Sequence, residues 1–128
     1  MPCGTETVLL AEDEQDVREL AREFLESGGY TVIEATNGQD ALRIAATHAG
    51  KIDLLVTDMV MPGMSGQHLA ARLQQERAGV AIIYMSGYSE HAATESAQST
   101  LNAALLTKPF SRAAILRAVR AALGPANL

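Results

Sequence analysis

Short apolar runs alternate with longer amphipathic stretches along the chain, five times over. The first apolar run, Thr7 to Ala11 (TVLLA), reads as a strand buried on both faces. Over Glu14 to Ser27, the residues Val17, Leu20, Ala21, Phe24 and Leu25 recur at i, i+3, i+4, i+7 and i+8. That spacing is one face of a helix, and Arg18, Glu19, Arg22, Glu23 and Glu26 take the outer face. Gly28-Gly29 ends this helix, and Tyr30 to Ala35 (YTVIEA) forms a second strand. Asn37 is placed to cap a second helix through His48, with Ala41, Ile44 and Ala45 inward. Ile52 to Thr57 (IDLLVT) is a third strand, followed by a loop at Gly63 to Gly66 and a helix through Glu76. Ala81 to Ser86 is a fourth strand, residues 89–100 carry a weak helical pattern, and Ala103 to Thr107 gives a short fifth strand. Ser111 caps a final helix with Ile115, Leu116, Val119 and Leu123 on one stripe, closed by Gly124-Pro125.

Strands alternating with helices at this spacing specify a parallel sheet covered on both faces. Right-handed crossovers then make it a doubly wound α/β domain. The 128 residues match one domain with a substantial core, and no repeat or low-complexity linker divides them. Residues 1–128 therefore read as a single unit, with a core from about 7 to 123 and frayed ends.

In a sheet of this kind ligands bind outside the carboxyl ends of the strands. The first strand leads into Glu12-Asp13-Glu14, the third into Asp58, the fourth into Ser86-Gly87 and the fifth into Lys108-Pro109. Carboxylates gathered at one edge repel one another unless a cation compensates them. An all-oxygen donor set favours a hard ion such as Mg2+. Each residue alone has a plainer explanation: an acidic helix start, a turn aspartate, a surface lysine, a serine capping the next turn. Their joint placement at one sheet edge is what favours a site.

Other motifs carry less. His48, His68 and His91 lie on separate segments without ligand spacing. Pro62 to Gly66 (PGMSG) is too short for a phosphate-cradling loop, so it shapes the turn beside Asp58. Met59, Met61, Met64 and Met85 flank the same edge as adaptable packing.

Charge narrows the partners. Fifteen acidic residues against ten basic ones leave a net charge of −5 with no basic run, which argues against nucleic-acid contact. No apolar stretch approaches the roughly 20 residues that span a bilayer, and the opening MPCGTET lacks a signal-peptide pattern. The single cysteine, Cys3, cannot form an internal disulfide and points to a reducing, cytoplasmic setting.

The motifs LLAEDE, LLVTDMVMPGMSG, IIYMSGYSE and LLTKPF stand in the order and at the spacing of response-regulator receiver domains. Over residues 7–123 the chain resembles that family. The resemblance implies a flavodoxin-like (βα)5 sandwich with a five-stranded parallel sheet. It implies that Asp58 is a phosphoacceptor, charged by a histidine kinase or phosphotransfer protein. It also implies Mg2+ held by Asp13, Asp58 and the carbonyl of Val60, with Glu12 where the family usually has Asp. Ser86 becomes the switch hydroxyl and Lys108 the cation on the phosphoryl oxygens, with a cis Lys108–Pro109 bond aiming the lysine. The module signals by conformational change and is not expected to be an enzyme in the ordinary sense.

Departures from the family pattern set further expectations. Leu105 stands where many receivers carry an inward-swinging Tyr or Phe, so the aromatic read-out is absent or altered. Val60 and Tyr88 flank the attacking water without a carboxylate or amide, which predicts slow dephosphorylation. The segment from Glu90 to Thr100 is rich in Ala, Ser and Thr, so its helix is marginal. The face from that fourth predicted helix to the final one is a candidate homodimer contact. GTETVLLAEDE and MSGYSE resemble receivers attached to hybrid sensor histidine kinases, which implies either an excised piece or a free-standing regulator, and the ragged start Met1-Pro-Cys-Gly favours the piece. An Mg2+-dependent phosphohydrolase with an aspartate nucleophile would want a second Asp at position 60 and a cap. A pseudo-receiver would lack one of the acidic residues or the lysine. A flavodoxin is disfavoured because the acidic first loop repels phosphate.

Overall fold

Five strands whose residues are apolar on both faces can only be buried if helices cover both sides of the sheet. The computed structural model, which describes residues 4–87 and 104–124, has that arrangement. The described elements are β1 (Thr7–Ala11), α1 (Gln15–Ser27), β2 (Thr31–Ala35), α2 (Gly38–Thr47), β3 (Leu54–Asp58), α3 (Gly66–Glu76), β4 (Ala81–Ser86), β5 (Ala104–Thr107) and α4 (Arg112–Leu123). The strands are all parallel in the order β2-β1-β3-β4-β5. This is the flavodoxin-like doubly wound order, whose direction of winding reverses between β1 and β3.

The two faces of the sheet make two cores. Leu9, Ala11, Leu55, Ile82 and Tyr84 pack with Ala41, Ala45, Leu69 and Leu73 on the side of α2 and α3. Val8, Leu10, Leu54, Val56, Ile83 and Met85 pack with Ala21, Leu25, Ile115, Leu116 and Val119 on the side of α1 and α4. Alternation along each strand thus splits one apolar run between two layers.

Asn37, Ser65 and Ser111 each cap a helix, accepting from the N–H of Asp40, His68 and Ala114 at 2.8–3.1 Å. The far ends of α2 and α4 are held by arginines. Arg77 donates to the carbonyls of Ala45, His48 and Gly50 at 2.9, 3.0 and 3.0 Å, satisfying groups that the end of α2 leaves open. Arg120 on α4 pairs with Glu6 at 2.7 Å and donates to the Tyr30 hydroxyl at 3.3 Å.

Several expectations shift. β3 begins at Leu54 and ends at Asp58; the Asp53 backbone still bonds to Thr7 and Ala81, and its carboxylate accepts from the Thr7 N–H at 2.8 Å. Leu20 is 43% exposed, not on the inner face. At about 100° per residue it lies at the opposite margin of the apolar arc from Leu25, and Ala21 and Leu25 carry the burial. The helix expected over 89–100 and the face it would share with α4 fall outside the described residues.

Candidate functional site

Parallel strands bring the ends of β1, β3, β4 and β5 to one edge, and the acidic residues gather where β1 meets β3. Asp58 closes β3 and is only 5% exposed. Its backbone is fixed from both directions. The Thr57 hydroxyl donates to the Asp58 carbonyl oxygen at 3.1 Å, and the next N–H, of Met59, donates to Met85 O at 2.9 Å.

The loop after Asp58 folds back tightly. Gly66 donates to Met59 O at 3.0 Å. A Cβ at Gly66 would stand 2.2 Å from the Asp58 carbonyl oxygen, so only glycine lets α3 start so close to the end of β3. Gly63, with φ +82°, supplies the left-handed turn. The PGMSG stretch therefore shapes the turn, as its length implied.

Glu12 lies fully buried just beyond β1. Its N–H donates to Ala35 O at 3.1 Å, and its carbonyl accepts from the Arg18 guanidinium at 2.9 Å. The side chain is held as firmly. Oε2 accepts from the Glu14 N–H at 3.0 Å, and Oε1 lies 2.9 Å from Lys108 Nζ. The same Nζ is 3.2 Å from Asp58 Oδ1. Asp13, next to Glu12, is exposed at the rim.

Carboxylate oxygens of Glu12, Asp13 and Asp58 fall within 4.8 Å of one another. One ammonium does not neutralise three carboxylates, so the cluster holds excess negative charge in a poorly hydrated place. Burial pushes the Glu12 carboxyl up to about 7, with the Asp58 charge adding to it and the Glu14 N–H and Lys108 opposing. Burial likewise raises the Asp58 carboxyl against the pull of Lys108 and the Val60 N–H. Burial works against the Lys108 ammonium, but Glu12 and Asp58 outweigh it and hold the lysine above its ordinary value.

Ser86 completes the edge. It is fully buried at the end of β4, and its carbonyl accepts from the Lys108 N–H at 2.7 Å. Its Oγ has no hydrogen-bond partner among the described residues. An unmet hydroxyl costs on the order of 1–3 kcal/mol when buried, and an incoming anionic oxygen would satisfy it. The donor set suits Mg2+: oxygen ligands only, surplus carboxylate charge, and an exposed Asp13 to meet a hydrated ion.

The structure thus brings together Glu12, Asp13, Asp58, Ser86 and Lys108. Val60 sits at the rim, 59% exposed. The Lys108–Pro109 bond is cis, as expected. Leu105 on β5 is half-buried against the α2–α3 core, and Tyr88 lies outside the described residues. Sequence reasoning missed two supports. Thr57 looked like an ordinary strand residue, and Arg18 was assigned to an outer helix face. The only signal for Arg18 was a cation one turn past an acidic strand end.

Known proteins share this fold and sequence pattern. Residues 8–120 match the family described as the response regulator receiver domain. The chain is 41% identical over 84% of its length to the sensor kinase CckA of Brucella abortus, and spans 11% of that protein. It is 34% identical over 80% of its length to the response regulator receiver protein CpdR of the same organism, covering 84% of it. The crystal structure of a receiver domain from the hybrid histidine kinase CckA superposes with a TM-score of 0.76 at 30% identity, over 92% of this chain and 99% of that one. No helix among the described residues is long and apolar enough to cross a membrane.

Proposed function

This chain belongs to the response regulator receiver domain family of two-component signalling, and from that premise we propose that Asp58 accepts a phosphoryl group from a phosphohistidine. The donor is a histidine kinase or a phosphotransfer protein. The observation that carries the reading is Lys108 Nζ at 3.2 Å from Asp58 Oδ1, with a buried Ser86 hydroxyl that has no partner among the described residues.

The Asp58 carboxylate oxygen attacks phosphorus, a P–O bond forms, the P–N bond breaks, and the released imidazole takes up a proton. Charge on the equatorial phosphoryl oxygens is the main electrostatic demand of such a transfer. Lys108 Nζ neutralises one oxygen and Ser86 Oγ–H donates to another. Asp13, Asp58 and the Val60 carbonyl, with Glu12 in the acidic set, would hold Mg2+, which supplies further charge neutralisation when bound. Residues 1–128 act as one signalling module and not as an enzyme with an external substrate. The likeness to the CckA receiver supports a parent hybrid kinase as the source of this chain, with the cytoplasm as its place of work.

Incubation with Mg2+ and a small phosphodonor, read by intact mass, tests the assignment. One phosphoryl adduct is expected on the parent protein and none on Asp58→Asn. An unmodified parent, or an adduct that survives the substitution, would refute it.

A further inference from the structure

The polar side of α1 carries one cation whose work lies inward. Periodicity places Arg18 on the outer face of the helix, yet its side chain is only 15% exposed. Its own N–H donates to Glu14 O at 2.9 Å, which seats it in the first turn of α1. Helical side chains lean toward the N-terminus, so a long one at this position reaches back over the turn that links β1 to α1. There Nη1 donates to Glu12 O at 2.9 Å, while Nε lies 3.5 Å from Glu34 Oε1 on β2. One guanidinium thus ties the turn after β1 to the neighbouring strand.

What Arg18 holds is a peptide plane. The Glu12 carbonyl and the Asp13 N–H belong to one rigid unit, so fixing the carbonyl fixes the direction in which the chain enters Asp13. Glu12 is held elsewhere as well, by its N–H on Ala35 O at 3.1 Å and by its carboxylate on the Glu14 N–H at 3.0 Å. Asp13 is exposed at the rim, so its aim depends on the backbone that leads into it. Its carboxylate nonetheless comes within 4.8 Å of those of Glu12 and Asp58.

Charge alone would make Arg18 a hindrance here. A cation beside an acidic edge opposes the binding of a second cation. Its bond to the carbonyl acts in the other direction, because outer partners that hold a ligand in place raise metal affinity. The two effects differ in sign, which makes them separable. Building on the Mg2+ reading above, we infer that Arg18 is a positioning residue for the acidic edge, holding the Glu12–Asp13 peptide so that Asp13 is aimed at the cation.

Manganese stands in for magnesium in the test, and free Mn2+ is read from its electron paramagnetic resonance signal as the full chain is titrated. Arg18→Met keeps the apolar stem and removes every donor; Arg18→Leu serves if it does not fold. The Kd for Mn2+ is expected to rise about tenfold, although the positive charge lost beside the site would by itself tighten binding. Arg22→Ala removes an arginine that also pairs with Glu34, at 3.0 Å, and leaves Glu12 untouched. It is expected to bind Mn2+ as the parent does. Without metal, the Asp13 amide nitrogen resonance, which reads the hydrogen bond on the preceding carbonyl, is expected to move in Arg18→Met and not in Arg22→Ala. Unchanged or tighter binding in Arg18→Met, or equal weakening in Arg22→Ala, overturns the inference while leaving the metal reading intact. A parent that takes up no Mn2+ overturns the metal reading, and this inference with it.

Discussion

Lys108 Nζ stands 2.9 Å from Glu12 Oε1, closer than the 3.2 Å to Asp58 Oδ1. The lysine is therefore shared between the buried Glu12 carboxyl and Asp58. Removing it leaves Glu12 and Asp58 facing each other without compensation. Lys108→Ala is expected to slow phosphorylation from a small donor by on the order of 10²-fold, measured as the initial rate of adduct formation. A rate within threefold of the parent would remove Lys108 from the transfer step.

The raised carboxyl of Glu12 makes the stability of the metal-free protein depend on pH. Its folded value of about 7 lies above the ordinary 4.5, so the folded state binds the extra proton. That contribution is fully present below about pH 4.5 and is lost as pH rises through about 7. Unfolding free energy without metal should fall across this window by on the order of 1–3 kcal/mol. Urea titrations at intervals from pH 5 to 8 would show it, and Glu12→Gln should flatten the slope. Stability that rises over that range would contradict the assignment.

Two glycines of one turn should respond unequally to alanine. At Gly66 the added methyl meets the Asp58 carbonyl oxygen at 2.2 Å, so backbone must move. About 3 kcal/mol or more is expected to be lost, with phosphorylation impaired. Gly63 has open space around it, and only its φ of +82° opposes a side chain. About 1 kcal/mol is expected there. Thermal or urea denaturation of both variants decides the order.

Val60 offers no group to orient an attacking water, although its side chain is exposed beside Asp58. Val60→Asn adds an amide without altering the backbone carbonyl. The phosphorylated form of this variant is expected to decay about tenfold faster than the parent, followed by loss of the adduct after donor removal. A parent adduct that already vanishes within seconds would contradict the slow-turnover reading.

The architecture was legible because strands buried on both faces write themselves as short apolar runs, and the acidic and basic residues fell at their ends. Pairwise meetings were not legible. That Lys108 reaches Glu12 depends on the ends of β1 and β5 converging at one edge, and no local spacing encodes that. Leu20 misled because an apolar arc has margins, and periodicity does not say which one faces water. Thr57 read as an ordinary strand residue until its hydroxyl met the Asp58 carbonyl.

The arginine clamps have a mechanical consequence. Arg77 grips the end of α2, and Arg120 fastens the last turn of α4 to Glu6 at the start of β1. Helices antiparallel to their strands put both fastenings at the edge of the sheet remote from Asp58. The domain is thus fastened at its base by side chains that take no part in the acidic edge. A helix end held in this way stays with its strand, so the set of the helices against the sheet is fixed independently of the acidic edge.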